Sequence, residues 1–342
     1  MDVVLARDAG GALQYRPMYE PLREWVVMHM ASRGVTCTPD EVFITNGNQQ
    51  GLSILSRVFM DAGDPAVIED ITFTGVQQAT IGRGAHIYTV PTDLETGIDT
   101  DALESVFASV NPRLAVIIPG HHNPLGVSIS DEKRARLAAL AAQYHVPIIE
   151  DDPYSMLRFE GTPQQAVKAY DRAGYVFYLG SFSKMLAPGL RLGWLIAPRD
   201  LMPKITIIRE SLDLESSTLT QRAVYEFLQR GGLAPHLTRL NATNAQRCAA
   251  MLDALDTHLS DLAHWTTPDG GLFVWLTLPA HIDTWVLAER AIREAGVAFV
   301  PGGAFDVHGG STNCLRLNFS AVNTDSIREG VARLAALVHA WV

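Results

Sequence analysis

The chain has 342 residues, of which 47% are hydrophobic and 19% charged. That is long and apolar enough for two domains with buried cores, and it excludes disordered, collagenous and small disulfide-stapled classes. Lys and Arg number 27 against 37 Asp and Glu, a net charge of −10, which argues against a broad nucleic-acid-binding face and leaves room for a local cationic pocket.

The first residues, Met1 to Asp8, lack the basic start and long apolar stretch of a secretion signal. No later window is apolar enough to span a membrane. Seven short apolar runs then follow: 42–45, 66–69, 86–90, 114–118, 146–150, 175–179 and 192–197. Their weak polar alternation predicts strands buried on both faces, hence a mostly parallel sheet. Helical spacing fills gaps between them, most plainly over 131–144, where Leu137, Leu140 and Ala141 follow Asp131 and Glu132 in the first turn. This predicts a three-layer α/β domain. Beyond about 205 the pattern changes to long helices over 218–230 and 236–260, a strand over 270–276, a helix over 283–295, strands near 297–300 and 314–319, and a last helix over 324–341. The expected division is an N-terminal segment at 1–30, a large domain at 31–205 and a smaller α+β domain at 206–342. Cys37, Cys248 and Cys314 are widely spaced, form no CxxC pair and read as reduced thiols of a cytoplasmic protein.

Polar residues gather just after the strand-like runs. Asn46-Gly47-Asn48-Gln49 follows the first, Asn123-Pro124-Leu125-Gly126 the fourth, Asp151-Asp152-Pro153-Tyr154 the fifth and Ser181-Phe182-Ser183-Lys184 the sixth. Ligands of open α/β sheets bind beyond the carboxyl ends of strands, so these four segments predict one crevice. The helix after Gly47 offers free N–H groups beside Asn48 and Gln49. Ser181, Ser183 and Arg191 add two hydroxyls and a fixed cation, a set suited to a phosphate. The carboxylate of Asp151 suits a protonated pyridine nitrogen, and the amine of Lys184 suits an aldehyde. Phosphate, pyridinium and aldehyde together describe pyridoxal 5′-phosphate.

The segment Ser-Phe-Ser-Lys-Met-Leu-Ala-Pro-Gly-Leu-Arg-Leu-Gly-Trp at 181–194 resembles the lysine signature of fold-type I aminotransferases of class I and II. Glu-Asp-Asp-Pro-Tyr-Ser at 150–155, His-Asn-Pro-Leu-Gly at 122–126, Leu-Gln-Tyr at 13–15, Val-Pro-Gly-Gly-Ala-Phe at 300–305 and Leu-Arg-Leu-Asn-Phe-Ser at 315–320 are similar to other segments of that family, in order. The branch it is most similar to holds 2-aminoadipate, kynurenine and broad-range aminotransferases. The resemblance implies amino-group transfer to a 2-oxo acid, expected to be 2-oxoglutarate, in a ping-pong cycle, and a homodimer with shared sites. It implies that Lys184 binds the cofactor and shuttles the α-proton, with Asp151 on the ring nitrogen and Asn123 and Tyr154 on the ring hydroxyl. The resemblance also implies that Phe73 stacks on the ring where Tyr is usual, and that Gly47, Asn48, Gln49, Ser181, Ser183 and Arg191 hold the phosphate. By the same resemblance Tyr15 would reach the phosphate of the neighbouring subunit, and Arg316 and Asn123 would bind the substrate, Arg316 clamping its carboxylate.

Two departures keep rival outcomes open. Leu13 stands near the start, where relatives carry a longer arm, and Leu125 replaces a frequent Thr or Ala. Elimination, oxidation or cyclisation of an amino acid on the same cofactor is the alternative. A ligand-sensing domain of a DNA-binding regulator is a third reading, disfavoured by the charge. His121 and His122 lack a third ligand for a metal, and Gly82-Arg83-Gly84 lacks the third glycine and following helix of a dinucleotide loop.

Overall fold

The computed structural model describes residues 1–341. All seven runs become strands of one sheet: β1 (Val42–Thr45), β2 (Pro65–Glu69), β3 (His86–Val90), β4 (Leu114–Ile117), β5 (Ile148–Asp152), β6 (Val176–Ser181) and β7 (Gly193–Ile196). The spatial order is β3-β2-β4-β5-β6-β7-β1. Every pair is parallel except those made by β7, which runs against both β6 and β1.

Helices cover both faces, as such apolar strands require, and two short ones, α4 (Thr74–Thr80) and α7 (Phe182–Met185), follow β2 and β6 in the chain. On one side α3 (Asn48–Phe59) buries Leu52, Leu55 and Val58 against Ile68, Val116, Ile149 and Leu179. On the other, α5 (Thr100–Val110) and α6 (Asp131–Tyr144) bury Leu103, Phe107, Leu137 and Leu140 against Val67, Ala115, Ile117 and Ile148. The α6 boundaries match the expected ones because both ends carry local signals: the Ser130 side chain accepts the Lys133 N–H, and His145 closes the helix in the left-handed region at φ 55. Tight approach is built in at Gly180, where a Cβ would lie 2.2 Å from the Trp194 indole.

The C-terminal sheet is antiparallel. Its order is β8 (His264–Trp265), β9 (Phe273–Thr277), β11 (Cys314–Asn318), β10 (Val300–Pro301). It packs Val274, Leu276, Leu315 and Leu317 against α10 (Leu233–Leu259) and α12 (Thr324–His339). The helix expected over 283–295 is α11 (Thr284–Arg290) followed by a π-helical turn at Ala291–Ala295.

The division between the cores falls later than residue 205. Helix α8 (Met202–Asp213) sends Ile205 into the large-domain core, and α9 (Thr218–Gln229) sends Val224 and Leu228 there too. Leu237, at the start of α10, joins them, and the C-terminal core takes up the chain from Cys248. An apolar helix face is legible in a sequence, but which core it faces is not. The N-terminal segment folds as α1 (Asp2–Ala12) and α2 (Glu20–Ala31), with Asp8 and Arg7 of α1 paired to Arg222 and Glu226 of α9. Among the described residues no helix is long and apolar enough to cross a membrane.

Candidate active site

The carboxyl ends of β1, β4, β5 and β6 meet at one edge of the large sheet, and the reversed β7 brings its amino end, with Arg191 just before it, to the same edge. The crevice they form with the C-terminal sheet is a cavity of about 350 Å³ whose walls include Asn48, Asn123, Asp151, Lys184, Arg191 and Arg316. A wider groove of about 870 Å³ beside Glu95, Asp256 and His264 gathers no comparable set.

Four lysines occur in the sequence. Lys133 donates to the Thr96 and Ile98 carbonyls, Lys168 pairs with Asp171 and Lys204 donates to the Val58 carbonyl. Among the described residues Lys184 alone has no partner for Nζ. Desolvation, with Arg191 and Arg316 adding to it, lowers its pKa. More of its amine is therefore neutral and nucleophilic than in an exposed lysine.

Strand alternation sorts three consecutive acids in β5. Glu150 accepts from the Val167 and Lys168 amides, both at 2.8 Å. Asp152, on the same face, is held by Arg33 and the Tyr178 hydroxyl, each at 3.0 Å. Asp151 faces the cavity, where Asn48 Nδ2 donates to it at 2.6 Å and no cation pairs with it among the described residues. It is 2% exposed, and burial pushes it up to about 7, against the Asn48 hydrogen bond. A buried carboxylate in this state calls for a positive partner.

At the other end of the cavity, Gly47 sits at φ 82, ψ 174 and opens α3, whose first amides have no partner within the helix. Arg191 holds the turn through Nη2 to the Asn46 carbonyl, 3.2 Å, and Ser183 Oγ lies 3.5 Å from its Nη1. Ser181 Oγ accepts the Ser183 amide at 3.1 Å. These groups form an anion seat. At Gly47 a side chain is strained, and a Cβ would lie 3.0 Å from Arg191 Nη2. Gly47→Ala is therefore expected to weaken affinity for a phosphorylated ligand about tenfold, at a cost of about 1–3 kcal/mol in strain, read by fluorescence titration.

Asn48 departs from expectation. Its side-chain amide donates to Asp151 at 2.6 Å and to the Leu179 carbonyl at 3.2 Å, while its backbone N–H is among the first of α3. The Gln49 amide donates to the Gly75 carbonyl at 3.1 Å.

Arg316 of β11 enters from the C-terminal domain. Its guanidinium stacks between Phe273 and Phe305, 4.3 and 4.9 Å from the ring centres, and donates to Asn123 Oδ1 at 2.7 Å. Among the described residues it has no carboxylate partner. Asn123 Nδ2 lies 3.4 Å from the Tyr154 hydroxyl, and burial, with Asp151 nearby, raises the Tyr154 pKa so that the hydroxyl stays protonated. Phe73 forms one wall. Tyr15 is not in this cavity: it is 76% exposed and lies with Glu215 and Ser217 in a separate cleft. His121 is turned to Asp269 at 3.2 Å and His122 to Glu69 at 3.3 Å, so neither lines the cavity. Leu125 packs with Trp275 and Phe305. Phe273 and Asn318 complete the walls unforeseen, although alternation along β9 could have aimed Phe273.

Pyridoxal phosphate fits this donor set. The buried Asp151, without a cation among the described residues, suits its ring nitrogen, the seat at Gly47 and Arg191 its phosphate, and the Lys184 amine its aldehyde, while Arg316 is left over for a carboxylate.

The sequence profile of the aminotransferase class I and II family matches residues 5–334. Aromatic-amino-acid aminotransferase 1 of Thermococcus litoralis is 38% identical over 98% of this chain and 82% of its own length. The kynurenine aminotransferase of Pyrococcus horikoshii superposes with a TM-score of 0.94 at 35% identity, covering 100% of this chain and 86% of that one. The α-aminoadipate aminotransferase of Thermus thermophilus, solved with N-(5′-phosphopyridoxyl)-L-leucine, gives 0.93 at 36% identity over 100% and 88%. The chain belongs to the class I and II aminotransferases, enzymes of the pyridoxal-phosphate-dependent fold type I, and it is an amino-group transferase.

Proposed function

We propose that this chain moves the amino group of an L-amino acid with an apolar or aromatic side chain to 2-oxoglutarate, as a cytoplasmic homodimer. The observation that carries the reading is the pairing, in one cavity, of a lysine and an arginine that among the described residues have, respectively, no partner and no carboxylate. The apolar walls Leu52, Phe73, Ile118 and Phe273 and the names of the relatives support the donor class.

Pyridoxal phosphate, when bound, supplies an aldehyde for amines and a ring that accepts the electron pair left at the substrate's α-carbon. Asp151 keeps that ring protonated, since an opposite charge favours the charged form. Asn123 and Tyr154 would orient it, Phe73 would cover it, and Gly47, Gln49, Ser181, Ser183, Arg191 and the Asn48 amide would hold its phosphate. Arg316 seats the α-carboxylate by a bidentate contact and so turns the α-proton toward Lys184. Lys184 Nζ would accept that proton as the base and later give it up again as the acid. The same residues would serve the second substrate in the reverse order. The exposed Tyr15 is free to complete the phosphate site of a second copy.

Single amino acids given to the holoenzyme without an oxo acid test the proposal. One half-turnover, reset by 2-oxoglutarate, supports it. Continuous release of ammonia would replace it with elimination or oxidation. Arg316→Ala is expected to raise KM for the amino acid about 100-fold, with a smaller effect on cofactor affinity, checked by steady-state kinetics and cofactor titration.

A further inference from the structure

The turn between α8 and α9 touches the anion seat without lining it. Asp213, the last residue of α8, accepts through Oδ2 from the Gln50 amide at 2.6 Å and from the Asn46 amide. Gln50 in turn accepts the Asn46 backbone N–H at 2.8 Å, and Arg191 binds the Asn46 carbonyl at 3.2 Å. The backbone N–H, the carbonyl and the side-chain NH2 of Asn46, the residue before Gly47, are thereby held. The other oxygen of Asp213 is held by Arg209, which is 2% exposed and also donates to Ser216. This buried cation offsets a carboxylate that otherwise stands close to an anion site. Leu214 follows at φ 67, ψ −67, a conformation leucine avoids, so the turn is held by its contacts and not by local preference.

We propose that Asp213, clamped by Arg209, is a positioning residue that sets the Asn46–Gly47 turn for the cofactor's phosphate. The inference rests on the reading of that turn as the phosphate seat. With Asp213 removed, Asn46 and Gln50 lose their shared acceptor, the amides of Asn48 and Gln49 lose a fixed direction, and the phosphate loses affinity while the ring contacts at Asp151 stay.

The test compares pyridoxal 5′-phosphate with pyridoxal, which lacks the phosphate, by fluorescence titration of the purified chain. Asp213→Ala is expected to weaken pyridoxal 5′-phosphate about tenfold and pyridoxal less than twofold, with Asp213→Glu restoring part of the difference. Arg191→Gln serves as the measure of the seat itself and should also narrow the preference for the phosphorylated form. If Arg191→Gln narrows it and Asp213→Ala does not, the positioning role is wrong and the seat stands. If neither narrows it, the seat is wrong as well. A loss in Asp213→Ala that is equal for both ligands, with a lowered melting temperature of the cofactor-free chain, would make Asp213 a general structural residue and overturn the proposal.

Discussion

Lys184→Ala abolishes turnover, with a loss of about 10⁴-fold or more, equivalent to about 5.5 kcal/mol of barrier. The expected size follows from what this amine does alone: no other lysine faces the cavity, and the remaining three are tied to Thr96, Asp171 and Val58. Folding should be spared. The Lys184 amine has no partner to lose among the described residues, so the stability change should stay within about 0.5 kcal/mol. Cofactor affinity should fall without vanishing, since Asp151 and the seat at Gly47 remain. The combination to be measured is a variant that melts like the parent, binds pyridoxal phosphate, lacks the visible absorbance band and does not turn over. A Lys184→Ala enzyme retaining a tenth of the parent's rate would remove this amine from the chemistry.

Asp151→Asn should lower kcat about 100- to 1000-fold, because the neutral amide no longer holds a proton on the ring nitrogen. The same substitution should stabilise the cofactor-free chain at alkaline pH. An aspartate titrates near 3.9 when unfolded, and Asp151 is pushed up to about 7 in the fold, by burial first. Between those values the folded chain binds more protons than the unfolded one, so its stability falls as pH rises through that window and remains low above it. The penalty is of the order of a few kcal/mol. Asn carries no charge to desolvate and can still accept from Asn48, so the cofactor-free variant should melt higher than the parent at pH 8 and equally at pH 4. The pyridinium supplies the missing charge, and the gain should shrink once the cofactor is bound. A variant less stable than the parent at pH 8 would mean that the carboxylate is not the strained group.

These two residues also mark what the sequence makes legible. The sheet was visible as seven apolar runs because strands buried on both faces need no polar alternation. Their carboxyl ends were harder to place. β5 runs on to Asp152 and β6 to Ser181, two residues beyond the apolar runs. Aspartate and glycine are poor strand formers, and here sheet pairing of Asp151 with Leu179 and Asp152 with Gly180 overrides that preference. Among Glu150, Asp151 and Asp152 the sequence points to Asp151 through the family resemblance, with Tyr154 three residues on, and the two-residue alternation of the strand turns Asp151 toward the cavity and its neighbours away. The reach of Asn48 toward Asp151, the stacking of Arg316 between Phe273 and Phe305, and the hold of Asp213 on Asn46 depend on contacts across 103, 43 and 167 positions of chain. No local pattern encodes such distances. The late start of the C-terminal core has the same origin, since α8 and α9 show apolar faces whose partners lie far back in the sequence.

Four lysines in 342 residues make one measurement unusually direct. Borohydride treatment of the cofactor-loaded enzyme, followed by peptide mapping, should leave a phosphopyridoxyl group on the peptide containing Lys184 and on no other. Labelling of Lys133, Lys168 or Lys204 in its place, or of none, would contradict the central claim that the amine at the end of β6 is the one that carries the cofactor.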